Sequence, residues 1–504
     1  MDRPHTAEAE VAAELSALRP DLVPRYAAAL PGARAAVLTR LWRALAQEPL
    51  PWITGREYGR DALVLRLADG RRLDGPRADP YATAGYVTGV RLDSVAYDDP
   101  ARLMTALAVP HGGGFAAELG HSAASLALSR AAQEPVPPGS PWPVHDWEWE
   151  QRVVDGHPYH PNCRSRPGFS VAEQLAYGPE HRPVVRLGLV PVPAGECLVS
   201  GVWPQELRDG ERLLLPVHPW QAAHVLKRSG GQELPAHPLM SLRTLALPGG
   251  PHVKTSLSAR LTSSVRDISV GSVAASAALS AFAETLAART DGLLHVTRTL
   301  GAATPDSPEL AAVLRESPAV YAGPGEHVVP VAALAGTGLP ASAAWTAEFA
   351  RLALTVGLRL LELGVALEAH GQNLLLVLSA SGAPLRLVYR DLADIRVGPA
   401  RLARHGITPP DGLPARILTD DERGLRRKLF GSLVAGSLAA TAGSGAALGA
   451  ALGTAVRDLP RTPDLVALCE RPLPAKALTL MRLSPGTPGD QWAELPNPLV
   501  GQGN

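Results

Sequence analysis

Between Val253 and Arg266 the chain reads VKTSLSARLTSSVR, and its even positions are all polar or cationic: Lys254, Ser256, Ser258, Arg260, Thr262, Ser264 and Arg266. Side chains two apart share one face of a strand, so the spacing predicts a polar strand face. Fourteen residues is long for a strand, and a break is expected at Thr262-Ser263-Ser264, whose hydroxyls can N-cap a following helical turn. Thr262 and Arg266 would then share a face. Backbone N–H groups, hydroxyls and a bidentate guanidinium together hold phosphate or carboxylate. Lysine occurs only at positions 227, 254, 428 and 476, arginine serving elsewhere, so Lys254 on this face reads as a wanted point charge. Taken alone, the pattern also fits a solvated face.

A second group follows a helix-like run, Ala347 to Glu368, with Gly371 expected as the residue that ends the helix. Asn373 to Leu378 and Leu385 to Arg390 flank a Gly/Ser/Pro turn near Gly382, the pattern of a β-hairpin whose register brings Asn373 opposite Asp391. With Glu368 and His370 just before them, these oxygens suit Mg²⁺ and a nucleotide, because Mg²⁺ takes few protein oxygens and completes its shell with phosphates. A hairpin with a capping Asn and a surface Asp is the plainer alternative.

A third segment, GHPYHPNCRSRPGFS (156 to 170), places His157, His160 and Cys163 three residues apart in a Pro-rich loop. Zinc would need a fourth ligand, and neither a CxxC nor an HxxxH pair supplies one. Arg164 and Arg166 beside Gly168 suit an anion better, along a nucleotide or a polycarboxylate; a Pro-stiffened surface turn is the alternative. The sequence holds no GxxxxGK[ST] loop and no GxSxG elbow, and without the elbow His111-Gly112-Gly113-Gly114 reads as a flexible turn.

The elements that must position these residues are α+β in pattern. Up to about Arg130, Ala/Leu-rich helical runs (Ala101 to Val109, Gly114 to Arg130) surround a strand-like stretch at Ala62 to Leu67. The Pro-dense segment Glu134 to His145 is the expected domain boundary. Short β-like runs then alternate with turns to about Arg396, and helix returns from Asp420 to Val456. With 504 residues, two to four structural units are expected. Forty-eight Lys+Arg balance 48 Asp+Glu, which argues against a nucleic-acid partner. Three unpaired-looking cysteines point to a reducing compartment, and an acidic, amphipathic Met1 to Glu14 lacks the pattern of a signal peptide, so a cytoplasmic location is expected. Leu429 to Val456 carries no charge and is long enough to cross a bilayer, but it is mostly Ala, Gly, Ser and Thr, which suits a buried helix pair; no membrane partner is expected.

Six segments in order, GHPYHPNCRSRPGFS (156 to 170), LPVHPWQ (215 to 221), SLRTL (241 to 245), KTSLSARLTSSVRDIS (254 to 269), EAHGQNLLL (368 to 376) and YRDLADIRV (389 to 397), resemble the IucA/IucC family of NRPS-independent siderophore synthetases. The resemblance runs from about Glu118 to the segment PAKALTLMRL (474 to 483). It implies a cupped hand: an N-terminal fingers-like domain over 1–140, a β-rich ATP-binding palm over 141–400 and a helical thumb over 401–504. It also implies ATP- and Mg²⁺-dependent adenylation of a carboxylate (citrate, a citrate derivative or 2-oxoglutarate) and its condensation with an amine or alcohol, releasing AMP and pyrophosphate.

Carried over by motif, Ser241, Arg243, Thr244 and Lys254 would hold the triphosphate, with Arg164 alongside the nucleotide, and Glu368, Asn373 and Asp391 would surround Mg²⁺. Thr262, Ser264, Arg266 and His370 would face the carboxylate, with Lys254, Arg266 and His370 stabilising the transferring charge and His370 a candidate acceptor of the amine's proton. Homodimers are in keeping with the family. Two departures stand out: Arg164 replaces the family's customary Lys, and the chain is shorter than many members. A kinase-like phosphotransferase releasing ADP would use the same Lys254, Asn373 and Asp391, and a non-catalytic, membrane-associated iron protein would rest on the run 429 to 456.

Overall fold

A computed structural model describes residues 6–134, 141–228, 231–261 and 264–500. The N-terminal unit is an antiparallel meander of five strands, from Ile53–Tyr58 to Val95–Tyr97, covered by the helices Ala7–Leu18, Val23–Gln47, Pro100–Leu107 and Gly112–Ala131. Thr6 caps the first helix by accepting the N–H of Ala9. Trp42 is fully buried, donates Nε1–H to the Pro76 carbonyl at 2.8 Å and presses its ring onto Gly75, where a Cβ would lie 2.6 Å from it. The Ala62–Leu67 strand lies where the alternation predicts it. His111-Gly112-Gly113-Gly114 is not a loose turn: Gly112 opens the helix that runs to Ala131, and an added Cβ there would lie 3.1 Å from the Val109 side chain.

The centre is a nine-stranded sheet with Ala312–Arg315, His252–Thr255 and Thr244–Ala246 side by side in its middle. Register pairs Lys254 with Thr244 on one side and with Val313 on the other, and pairs His252 with Arg315. Alternation therefore puts Thr244, His252, Lys254 and Arg315 on one face, while Leu245, Val253 and Leu314 fill the core on the other. The polar run from Val253 breaks at Ser256, earlier than its periodicity suggests. Beyond it the strand Leu257–Leu261 pairs antiparallel with Ser264–Arg266, and residues 262 and 263, where the helix cap was expected, lie outside the described residues. The helix Val270–Ala287 is capped instead by Ser269, which accepts the Ser272 N–H.

A four-stranded sheet, in the order Leu294–Val296, Pro384–Tyr389, Leu374–Leu378, His327–Pro330, carries the long helix Ala343–Leu363. That helix stops at Gly364, whose φ of 109° only glycine adopts readily, and not at Gly371; residues 365–373 form a short strand and a loop. The hairpin Leu374–Leu378/Pro384–Tyr389 closes through Ser379 and Ala383, which pulls the register one step: the Arg390 N–H bonds the Asn373 carbonyl, so Arg390 and not Asp391 lies opposite Asn373. Asp391 then bends out of the strand at φ 68°.

The uncharged run 429 to 456 is not one straight helix. A helix over Glu422–Leu429 continues as a π-helix over Phe430–Leu438 and an α-helical turn to Ala442, breaks at Gly443 and resumes at Gly445–Ala455 with a bend of 116°. Among the described residues, the one unbroken helix long and apolar enough to cross a membrane is Val270–Ala287, which packs on the strands Leu198–Gly201 and Thr299–Thr304. The core under the long helix continues through Leu374, Leu425, Phe430, Leu433, Leu448 and Leu452, joining the four-stranded sheet to the C-terminal helices.

Candidate functional site

The polar face of the central sheet, the loop 239–244, the hairpin 257–266, the loop 367–373 and the bend at Asp391 enclose a cleft of about 940 Å³. Ser241, Arg243, Thr244, Lys254, Arg266, Glu368, His370, Asn373 and Asp391 all line it, and Arg164 lies at its edge. Thr262 is outside the described residues, as is the Ser264 side chain. A smaller recess of about 380 Å³, lined by Ser241, Thr244, His252, Arg315, Asn373, Arg390 and Asp391, adjoins it. A third of about 630 Å³, more apolar, runs from Lys254, Arg315 and Asp391 past Ile268, Leu279, Val313 and Ile417. Asp391 borders all three.

At that junction Lys254 Nζ meets both oxygens of Asp391, at 3.0 and 2.8 Å, and Arg315 Nη2 meets Oδ1 at 3.0 Å. Burial favours the neutral forms of both partners. It pushes Lys254 down to about 7 against the pull of Asp391, while Arg315 and Lys254 overcome it at Asp391 and hold that carboxyl well below its ordinary range. Ser241 Oγ accepts the Thr244 N–H at 3.1 Å, and Leu242 between them sits at φ 67°, so the loop is wound tightly over the sheet. Arg243 Nη1 donates to the carbonyls of Arg266 and Asp267, tying that loop to the hairpin; burial lowers its pKa to about 10.

A second cluster lies beside the first on the same cleft. Glu368 Oε1 accepts from Lys428 at 2.7 Å and from Lys476 at 2.9 Å. Burial would raise this carboxyl, but the two ammonium groups outweigh it and hold the pKa at about 2. His370 Nδ1 accepts the Gln372 N–H at 3.3 Å. Three other histidines use the same i to i+2 device: His157 to Tyr159, His160 to Asn162 and His218 to Trp220. The proton of a neutral His370 is thereby assigned to Nε2, and burial lowers the ring's pKa. Arg266, lowered by burial as well, donates to the Leu261 carbonyl at 3.2 Å. The Tyr389 hydroxyl links the two clusters, accepting the Glu368 N–H at 3.2 Å and donating to the Asp391 carbonyl at 3.3 Å.

Six cations (Arg243, Lys254, Arg266, Arg315, Lys428, Lys476) thus face four carboxylates (Glu368, Asp391, Asp394 and Asp490, which meets Lys476 at 3.3 Å), an excess that favours a polyanionic ligand. Arg164 is not free to join them. Nε donates to the Val154 carbonyl at 2.7 Å, Nη2 to that of Val153, and Nη1 shares the fully buried Glu180 with Arg166. Mg²⁺ takes oxygen ligands, and the donor set of Asn373, Asp391 and Glu368 fits it. Among the described residues no group of three or more His, Cys, Asp or Glu is placed as a metal cage, so such an ion would rely on phosphate oxygens.

Sequence reasoning missed Arg315, Lys428, Lys476, Tyr389 and the buried pair Glu150–Arg390, in which Arg390 Nη1 meets Glu150 at 2.6 Å while Nε and Nη2 donate to the Gln372 carbonyl. The signal for two of them was present: the scarcity of lysine that marks Lys254 marks Lys428 and Lys476 equally, and three of the four lysines in the chain meet at this site.

Residues 145–336 match the model of the IucA/IucC family, and residues 343–487 match that of the ferric iron reductase FhuF-like transporter. The chain is 26% identical over 314 residues to the citryl-spermidine/3,4-dihydroxybenzoyl-citryl-spermidine:spermidine ligase of Bacillus anthracis, covering 49% of this chain and 51% of the relative. It is 24% identical over 332 residues to a Staphylococcus aureus 2-[(L-alanin-3-ylcarbamoyl)methyl]-3-(2-aminoethylcarbamoyl)-2-hydroxypropanoate synthase, covering 52% and 53%. In sequence the chain thus spans about half the length of the curated relatives it matches. The fold is that of the petrobactin biosynthesis protein AsbB from Bacillus anthracis, with a TM-score of 0.75 at 19% identity over 95% of this chain and 98% of that one. The ATP-bound aerobactin synthetase IucA of Klebsiella pneumoniae superposes with a TM-score of 0.71 at 21% identity, over 93% and 99%.

Proposed function

We propose that this chain, which belongs to the IucA/IucC family, is an ATP-dependent ligase that adenylates a polycarboxylate and condenses it with an amine or alcohol to build a siderophore. The observation that carries this is the meeting of two ion-paired clusters on one cationic cleft: Lys254–Asp391–Arg315 beside the Ser241–Thr244 loop, and Glu368–Lys428–Lys476 beside His370 and Arg266. The first cluster suits a triphosphate and the second a carboxylate, and a single cleft brings them together. Relatives whose names describe citryl amides and their amine partners support a citrate-like acid and an amine.

In the adenylation step a carboxylate oxygen attacks the α-phosphorus and pyrophosphate leaves. Negative charge builds on the α-phosphoryl oxygens, where Lys254, Arg243 and Arg266 are already held in place by Asp391, the backbone of 266–267 and the Leu261 carbonyl. Preorganised cations stabilise that charge without reorienting as the reaction proceeds. Asn373, Asp391 and Glu368 would hold Mg²⁺, which would neutralise charge on the departing pyrophosphate. The amine or alcohol then attacks the activated carbonyl, AMP leaves with the bridging oxygen, and the nucleophile's proton passes to solvent. With Nδ1 occupied by Gln372 N–H, His370 acts here as a donor through Nε2–H toward the carboxylate and not as the acceptor of the amine's proton.

The test is a product assay: protein, Mg-ATP and citrate, 2-oxoglutarate or succinate, with hydroxylamine as surrogate nucleophile. AMP, pyrophosphate and a hydroxamate from one acid support the ligase. ADP and phosphate would replace it with a kinase-like phosphotransferase.

A further inference from the structure

The loop carrying Glu368 and His370 has no regular structure of its own, yet its central peptide is bonded at both ends. The Ala369 N–H donates to Ser432 Oγ at 2.9 Å, and the Ala369 carbonyl accepts from Ser437 Oγ at 2.6 Å. Both serines lie in the nine-residue π-helix Phe430–Leu438. Ser432 has one further proton to give, and the Lys428 carbonyl stands 2.7 Å from it; Lys428 in turn holds the Glu368 carboxylate. One stretch of the C-terminal helices therefore grips three successive groups: the Glu368 side chain, the Ala369 N–H and the Ala369 carbonyl.

The winding of that stretch is what makes the grip possible. At 3.6 residues per turn, positions five apart on an α-helix point about 140° away from each other. A π-helix bonds residue i to residue i+5 and brings such positions onto one face. Ser432 and Ser437 are five apart. α-Helical winding would turn one of them away from Ala369. Small residues permit the wider turn: Gly431 packs against the Trp492 ring, and Gly436 lies 3.2 Å, measured from an added Cβ, from the Gly431 carbonyl.

We propose that Ser432 and Ser437 are positioning residues for the second cluster of the cleft, and that the π-helical register exists to let both hydroxyls bracket the Ala369 peptide and so fix Glu368 and His370. This rests on the proposed ligase activity for its kinetic consequence but not for its structural one. Neither serine lines the cleft, so each can act on the reaction only through the loop it holds.

The experiment compares wild type with Ser432→Ala, Ser437→Ala and Ser432→Thr. In carboxylate-dependent AMP formation each alanine variant is expected to lower kcat by roughly 10- to 100-fold, the cost of a displacement on the order of 1 Å at a reacting group. Ser432→Thr keeps the hydroxyl and should recover most of the loss. Hydrogen exchange of the peptide spanning 367–373 is read in parallel and needs no turnover: it should quicken roughly tenfold or more in the alanine variants while the strand Leu374–Leu378 keeps its protection. Ser432 is partly exposed and loses a single oxygen, so its arm stands even if Ser437→Ala does not fold. Wild-type kcat together with wild-type exchange in Ser432→Ala would overturn the proposal. A wild type inactive with every acid would overturn the ligase activity and leave the exchange measurement to decide this one.

Discussion

Nucleotide binding should take up a proton, and Lys254 should be where it goes. Burial pushes its ammonium down to about 7, with Asp391 pulling the other way, so at pH 8 the free protein carries about 0.1 proton there. A bound triphosphate brings negative charge to the same ammonium and restores its pKa toward the ordinary lysine range, near 10.4. The complex then carries close to one proton at pH 8, an uptake of about 0.9. Because the pKa is higher in the complex, affinity is complete below about pH 7 and is lost as pH rises from there toward the pKa of the bound state. Between pH 7 and pH 9 the dissociation constant should rise about 50-fold, or about 2.3 kcal/mol, a window above the last phosphate ionisation of the nucleotide. Calorimetry at pH 8 in two buffers of different ionisation enthalpy measures the uptake directly, and Lys254→Met removes the group. Uptake near zero in the wild type, or equal uptake in Lys254→Met, would refute the assignment.

Other expectations follow from the same geometry. Lys428→Met removes one of the two ammonium groups that hold Glu368 at about 2; the Glu368 pKa should rise, and the acidic limb of kcat/KM should move to higher pH in a pH–rate profile. Glu150→Leu leaves the buried Arg390 guanidinium without its counter-charge and should cost about 3–5 kcal/mol in denaturant unfolding. Gly364→Ala must place a Cβ 2.8 Å from the Gly398 carbonyl at φ 109°, and should lower stability by about 1–3 kcal/mol without altering the KM for ATP.

Much of the site was legible because its residues lie in short, ordered motifs whose chemistry is unusual for a strand face. Lys254 and Arg266 were found from type and spacing and Thr244 through the family resemblance alone, and register places Thr244 and Lys254 as direct neighbours. What failed was local geometry set by tertiary contacts. Gly371 and Gly364 are equally good helix enders in sequence; of the two, only Gly364 takes the positive φ of a helix end, at 109°. The hairpin register slipped by one because the turn closes at Ser379–Ala383, and a one-residue shift moves every side chain to the opposite face. Arg315 was invisible because a single arginine in an apolar run has no periodic signature, and the π-helix was invisible because its Gly/Ser/Ala composition also suits an α-helix or a span. Lys428 and Lys476 lie 60 and 108 residues from Glu368, and only the fold brings all three together.

The most direct test of the central claim follows the carboxylate oxygen itself. The acid identified by the hydroxamate assay is supplied with ¹⁸O in its carboxylates, together with Mg-ATP and an amine, and the nucleotide product is analysed by mass spectrometry. If the carboxylate attacks the α-phosphorus and the amine later displaces AMP, one ¹⁸O must leave in AMP, and the label in AMP should vanish with the activity in Arg266→Ala. Label appearing in inorganic phosphate beside ADP, or AMP formed without label, would contradict it.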